Sequence, residues 1–179
     1  DQVAMPLERL LSPAYATSQR ARIRSDRHRP AAELAAEAPS SGGTNTTHLS
    51  VADRHGGLVA LTTTLNFAYG SGISVPGAGF LLNNELTDFS FAPADAQGKP
   101  IANRVQGGKR PRSSMAPTLV FDKASGQLLM TGGSPGGAAI IHYTTQALWG
   151  LLHMGLNPQQ AFDLPHLALF SPQGPLWLE

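Results

Sequence analysis

The sequence predicts an α+β domain, with antiparallel strands and helices on one face of them. Three observations predict it. Two pairs of β-type segments flank short Gly-containing connections, and one long segment with helical apolar spacing follows them. Gly (19) and Pro (14) are plentiful among the 179 residues, so the chain is rich in turns. Hairpin, loops, hairpin and helices, in that order, suit a sheet covered on one side.

The first segment, residues 7–23, reads as a broken helix, with Leu7, Leu10, Leu11, Tyr15 and Ala21 apolar and Pro13 near its middle. Residues 24–45 are polar, and 39–45 have linker composition. Residues 46–52 (TTHLSVA) and 58–67 (LVALTTTLNF) read as strands, joined by Asp53-Arg54-His55-Gly56-Gly57. Residues 70–117 read mainly as loop, a length of irregular chain often tied to function. A second hairpin is expected from 118–122 and 127–131 around a Lys-Ala-Ser-Gly turn. Residues 138–154 form the main helix, with Ile140, Ile141, Thr144, Leu148, Leu151 and Leu152 at helical spacing and Gly155 stopping it. Asn157 then suits an N-cap, with Pro158 at N1 and Gln160 at N3.

Composition narrows the function. The formal net charge is +1, which gives no electrostatic pull toward nucleic acid or anionic lipid. Cys is absent, so disulfides, thiolate metal sites and a Cys nucleophile are excluded. The His residues show no metal-ligand spacing, and neither a metal nor a cofactor is expected. No run of about 18 apolar residues is present to span a membrane. No signal peptide is visible, and the chain opens on Asp1 rather than Met.

Four clusters carry chemistry. With Ala52 opposite Leu58, Thr46 faces Thr64, His48 faces Thr62, and Asn66 lies diagonal to Thr46 on the same sheet face. A Thr hydroxyl is a weak nucleophile without an adjacent base. A Thr at a newly made chain terminus has one, its own α-amino group, with a pKa of about 7.7–8.0. A break between Asn45 and Thr46 would create that residue; the same threonines also suit an ordinary strand. Glu85 and Asp88 are three apart, so a turn sets both carboxylates on one side, fit for an ammonium group or for solvent. Ser113 and Ser114 offer adjacent hydroxyls, suited to a carboxylate or to a solvated turn. Gly132-Gly133-Ser134-Pro135-Gly136-Gly137 precedes the main helix, where backbone N–H groups hold an oxyanion or a phosphate or simply join strand to helix. The missing GK[ST] continuation argues against a P-loop.

Taken together and in order, TTHLSVADRHGGLVALTTTLNFAYGSGI, PGAGFLLNNELTDFS, KRPRSSMAPT and TGGSPGG resemble the small subunit of the γ-glutamyltranspeptidases, preceded by the end of their large subunit. The resemblance covers roughly residues 10–168. It implies residues 1–45 as the large-subunit end and linker, and 46–179 as a small-subunit catalytic portion that stops short of its end. It implies part of a four-layer αββα N-terminal-nucleophile (Ntn) hydrolase sandwich with antiparallel sheets. Self-cleavage between Asn45 and Thr46 would free Thr46 as nucleophile, with Thr64 hydrogen-bonded to it. Asn66, Glu85 and Asp88 match the grip on the donor's α-amino group, Ser113 and Ser114 that on its α-carboxylate, and Gly136 and Gly137 the oxyanion hole.

The implied activity is γ-glutamyl transfer or hydrolysis from glutathione-like donors to water, amino acids or peptides. The implied partner is the large-subunit portion of the same precursor, which carries the family's carboxylate-binding Arg. The implied location is periplasmic or secreted. Residues 91–101 stand where many members carry a pocket lid, and they are few. A cephalosporin-acylase-like amidase and an unprocessed, silent fragment are the alternatives.

Overall fold

The computed structural model describes residues 3–26, 45–170 and 175–178. The expected broken helix is two helices, α1 (Leu7–Leu10) and α2 (Pro13–Arg20). Pro13 begins the second instead of interrupting one: Ser12 caps it, its hydroxyl accepting from the Tyr15 N–H, and Pro at N1 loses no helical bond. Most of the expected polar linker, residues 27–44, lies outside the described residues.

Strands β1 (Thr46–Ala52) and β2 (Leu58–Thr64) pair antiparallel in the expected register, with Thr46 opposite Thr64, His48 opposite Thr62 and Ala52 opposite Leu58. The connection fixes that register. Asp53 Oδ1 accepts from the N–H groups of His55 and Gly57, and Gly56 takes φ 87°. β2 ends three residues before the expected Phe67, because Asn66 turns to φ 70°, a left-handed conformation no strand contains. The even-numbered face of β1 carries Thr46, His48 and Ser50; Leu49, Val51, Val59 and Leu61 lie exposed on the other.

Residues 70–117 are irregular, as expected, tied by isolated bridges (Ser74–Leu81, Ser90–Arg104, Ala94–Pro100) and one 3-10 turn, Glu85–Asp88. The second hairpin joins β3 (Thr118–Phe121) to β4 (Leu128–Gly132), with a bulge at Val120/Phe121. Asp122 organises its turn, its carboxylate accepting from Ala124 and Ser125.

The main helix is shorter than expected. Gly137–Ala139 form a 3-10 turn and α3 runs from Ile140 to Leu152. Its buried face is Ile140, Thr144, Ala147 and Gly150, whereas Ile141 and Leu152 from the expected stripe are exposed. α4 (Pro158–Phe162) carries the expected capping box: Asn157 Oδ1 accepts from the Gln160 N–H and Gln160 Oε1 from the Asn157 N–H. Gly150 lets α4 come close, since a Cβ there would sit 3.2 Å from that of Ala161. A short pair that the sequence did not suggest, β5 (Leu167–Ala168) with β6 (Trp177–Leu178), closes this end. Among the described residues the buried apolar side chains are mostly small, Ala139, Ala147, Ala161 and Ala168, with Ile140 and Phe89 the larger ones. The described strands form three separate two-stranded antiparallel sheets rather than one covered sheet, and the class is α+β.

Candidate active site

Thr46 opens β1, and its hydroxyl donates to Thr64 Oγ1 across the hairpin at 3.0 Å. That oxygen also accepts from the Asn66 N–H at 2.8 Å, and the Thr64 hydroxyl donates to the carbonyl oxygen of Asn45 at 3.0 Å. The Leu65 N–H reaches the same Asn45 carbonyl at 3.2 Å, so two donors converge on the oxygen of the Asn45–Thr46 peptide. Such a pair lowers the energy of negative charge on that oxygen.

Asn66 is 3 % exposed, and its positive φ aims the side chain into the irregular segment. Its Nδ2 donates to Thr87 Oγ1 at 3.1 Å and to Asp88 Oδ1 at 3.2 Å. The 3-10 turn places Glu85 beside Asp88, as the three-residue spacing suggested. Burial, and then the negative charge of Asp88, push the Glu85 carboxyl above the usual glutamate range. Among the described residues Glu85 Oε2 is buried without a hydrogen-bond partner. A buried, unpartnered acceptor in a pair of acids suits a cation.

Ser113 is exposed and Ser114 half-buried, in extended chain ahead of β3. Ser113 Oγ accepts from the Met115 N–H at 3.2 Å. Neither serine hydrogen-bonds to Thr46. Their segment is tied instead to the acidic turn through Asn103, whose amide donates to the Asp88 carbonyl and accepts from the Arg112 N–H.

The glycine loop runs from β4 into the 3-10 turn ahead of α3. Gly136 (φ 130°) and Gly137 (φ 55°) both need glycine's freedom, and they stand where N–H groups have no intrahelical partner. The ring of Tyr143, stacked on His166, backs the loop; a Cβ on Gly136 would come within 2.8 Å of it. The other end rests on β1, where a Cβ on Gly133 would fall on the His48 ring. His48 Nδ1 lies 2.9 Å from Thr62 Oγ1 and Nε2 3.2 Å from Ser50 Oγ, and burial lowers its pKa, favouring the neutral imidazole.

A family model described as gamma-glutamyltranspeptidase matches residues 1–174. The chain belongs to the γ-glutamyltranspeptidase family. Among its relatives, the glutathione hydrolase proenzyme of Bacillus subtilis strain 168 is 44% identical over 124 residues, covering 68% of this chain and 19% of that protein. The Escherichia coli K12 proenzyme is 37% identical over 170 residues, covering 92% of this chain and 29% of its own length. The chain therefore spans under a third of these curated relatives. A solved mutant of Helicobacter pylori γ-glutamyltranspeptidase superposes with a TM-score of 0.63 at 39% identity, over 74% of this chain and 72% of that one. The Pseudomonas nitroreducens γ-glutamyltranspeptidase complexed with L-DON gives 0.62 at 35%, over 74% and 70%.

Within this γ-glutamyltranspeptidase segment, hydrogen bonds gather Asn45, Thr46, Thr64, Asn66 and Asp88, with Glu85 beside them. Gly136 and Gly137 make no hydrogen bond to Thr46. Sequence reasoning missed Asn103 and the packing of His48 on Gly133. Residues 91–101 close on themselves as a turn, with Asp95 Oδ1 accepting from the N–H groups of Gln97 and Lys99. His142 stands edge-on to Phe170 and His153 stacks on Trp149. No cluster of metal-ligating side chains occurs among the described residues.

Proposed function

We propose that this chain is the nucleophile-bearing part of a γ-glutamyl transferase and glutathione hydrolase that activates itself by cleavage at Asn45–Thr46. The single observation that carries the reading is the Thr46–Thr64–Asn45 junction, where the nucleophile's hydroxyl, its partner and the scissile carbonyl share one hydrogen-bonded oxygen.

Self-cleavage begins when Thr46 Oγ attacks the Asn45 carbonyl carbon. Thr64 and the Leu65 N–H bear the charge on the carbonyl oxygen. Collapse breaks the C–N bond as the hydroxyl proton passes to the departing Thr46 nitrogen, which leaves an ester on Thr46 Oγ and a free Thr46 amine; water then hydrolyses the ester and releases Asn45 as a carboxylate. That amine is the base for the second reaction. Thr46 Oγ gives up its proton and attacks the γ-carbonyl of the donor, while the N–H groups of Gly136 and Gly137 hold the oxyanion. The leaving amine takes the proton. The acyl group stays on Thr46 until water or an amino acid or peptide acceptor removes it.

Glu85 and Asp88, the latter held by Asn66, bind the donor's α-ammonium together with Asn66, and Ser113 and Ser114 hold its α-carboxylate. The buried, unpartnered Glu85 oxygen supports an amino-acid head group over a plain dicarboxylate. The open apolar face of Leu49, Val51, Val59 and Leu61 supports completion of an αββα sandwich by the rest of the precursor, whose large-subunit portion also brings an Arg to the carboxylate. The family resemblance is our basis for a periplasmic or secreted location; no helix among the described residues is long and apolar enough to cross a membrane.

Two measurements on the full-length protein test the reading. N-terminal sequencing of active enzyme is expected to give a polypeptide starting at Thr46, and an uncut active enzyme removes the mechanism. A γ-glutamyl anilide should be turned over in preference to a glutaryl anilide; the reverse would point to a cephalosporin-acylase-like amidase. Protein that neither cuts itself nor turns over either compound would be catalytically silent.

A further inference from the structure

We infer that Asn103 is a positioning residue that sets the spacing between the two ends of the amino-acid head-group site. The inference rests on the roles proposed above for Asp88, Ser113 and Ser114. Asn103 lies in the irregular segment, half-buried, and its side chain hydrogen-bonds to the main chain of Asp88 and Arg112. Its amide spans two strips of chain that nothing in secondary structure joins. Nδ2 donates to the Asp88 carbonyl at 2.7 Å, at the end of the 3-10 turn that carries both acids. Oδ1 accepts from the Arg112 N–H at 2.9 Å, one residue before Ser113.

The residue is itself anchored. Its carbonyl accepts from the Ser90 N–H at 2.9 Å, and Nδ2 also approaches Ser90 Oγ at 3.4 Å. An amide is suited to this task because it donates and accepts from one rigid plane, so the two backbone strips are held at a fixed separation. An α-ammonium and an α-carboxylate sit on one carbon. A site that grips both at once depends on the separation of its acids and its hydroxyls, whereas a site that grips one does not.

Three anilides read this directly in the full-length enzyme: γ-glutamyl, with both groups; glutaryl, with the carboxylate alone; and 4-aminobutanoyl, with the amine alone. In Asn103→Ala, KM for the γ-glutamyl compound is expected to rise about 10-fold with kcat little changed, because only simultaneous engagement is lost. Neither single-group compound should change by more than about 2-fold. Asn103→Asp keeps an acceptor for Arg112 but cannot donate to Asp88, and is expected to fall between. It guards against a folding defect in the alanine variant, and self-cleavage at Thr46 reports folding for both. An equal loss on all three compounds, or an unchanged γ-glutamyl KM in both variants, overturns the inference. Preference of the unmutated enzyme for the glutaryl compound would instead sink the head-group assignment on which it rests.

Discussion

Replacing Glu85 by Gln tests the proposed ammonium site most sharply. The carboxyl is half-buried, one of its oxygens has no partner among the described residues, and its neighbour Asp88 is already engaged by Asn66. A hydrogen bond to a charged group contributes about 1.5–3 kcal/mol. Partial exposure places Glu85 near the lower end, and about 1.4 kcal/mol is a factor of ten. Glu85→Gln should therefore raise the donor KM about 10-fold while leaving kcat nearly unchanged, since the interaction is the same in ground and transition states.

The pH dependence gives a second reading of the same residue. Burial and the charge of Asp88 raise the Glu85 pKa, so the carboxyl keeps its proton at a pH where an ordinary glutamate, at about 4.3, has lost it. Only the ionised form attracts an ammonium. The donor KM should fall as pH rises through that raised value and then level off, and Glu85→Gln should flatten this limb.

Stability runs the other way. The proton leaves the unfolded chain first, so ionising Glu85 in the folded protein costs stability above the raised pKa and nothing below the unfolded value. The Gln variant should melt higher at neutral pH. Steady-state kinetics from pH 4.5 to 8 with a γ-glutamyl anilide, plus one melting curve, suffice. An unchanged KM together with an unchanged acid limb would refute the reasoning.

Three further outcomes are expected. Thr46→Ala should remain a single polypeptide and show no turnover, read by intact mass and anilide assay. Thr64→Val strands the Asn66 N–H, releases the Thr46 hydroxyl and removes one of the two donors to the Asn45 carbonyl, so self-cleavage should slow about 100-fold in a time course on gels. Gly133→Ala should lower kcat about 100-fold by pushing the glycine loop off the His48 ring, and adding His48→Ala should recover much of it in the same assay.

What the sequence disclosed follows from where local chemistry decides structure. The first hairpin's register was legible because Asp53 and two glycines define a short connection, and one fixed pair then determines the rest. The capping box at Asn157 was legible for the same reason: its partners are three residues apart. The buried stripe of α3 was legible in part: Ile140 and Thr144 face inward as expected, but Ala147 and Gly150 share that face where α4 comes close, because burial there follows space more than hydrophobicity. The strand boundary at Asn66 was hidden because a left-handed Asn leaves no periodic mark. Asn103 was invisible for a deeper reason: its partners lie 15 and 9 positions away in chain with no repeat, and only the folded path makes them neighbours. Glu85 and Asp88, by contrast, were readable as a pair because a single turn unites them.

On the roles proposed above, Asn66 links recognition to reactivity. Its side chain holds Asp88 while its backbone N–H holds Thr64, which in turn holds Thr46, so one residue is fastened to both the selective and the reactive ends. Refitting the acidic end for a donor lacking an amino group would remove one of the two side-chain anchors of Asn66, the residue whose backbone N–H seats Thr64. Donor choice and attack rate in such a protein should drift together under selection, and an engineer seeking one without the other would do better to begin at the serine side.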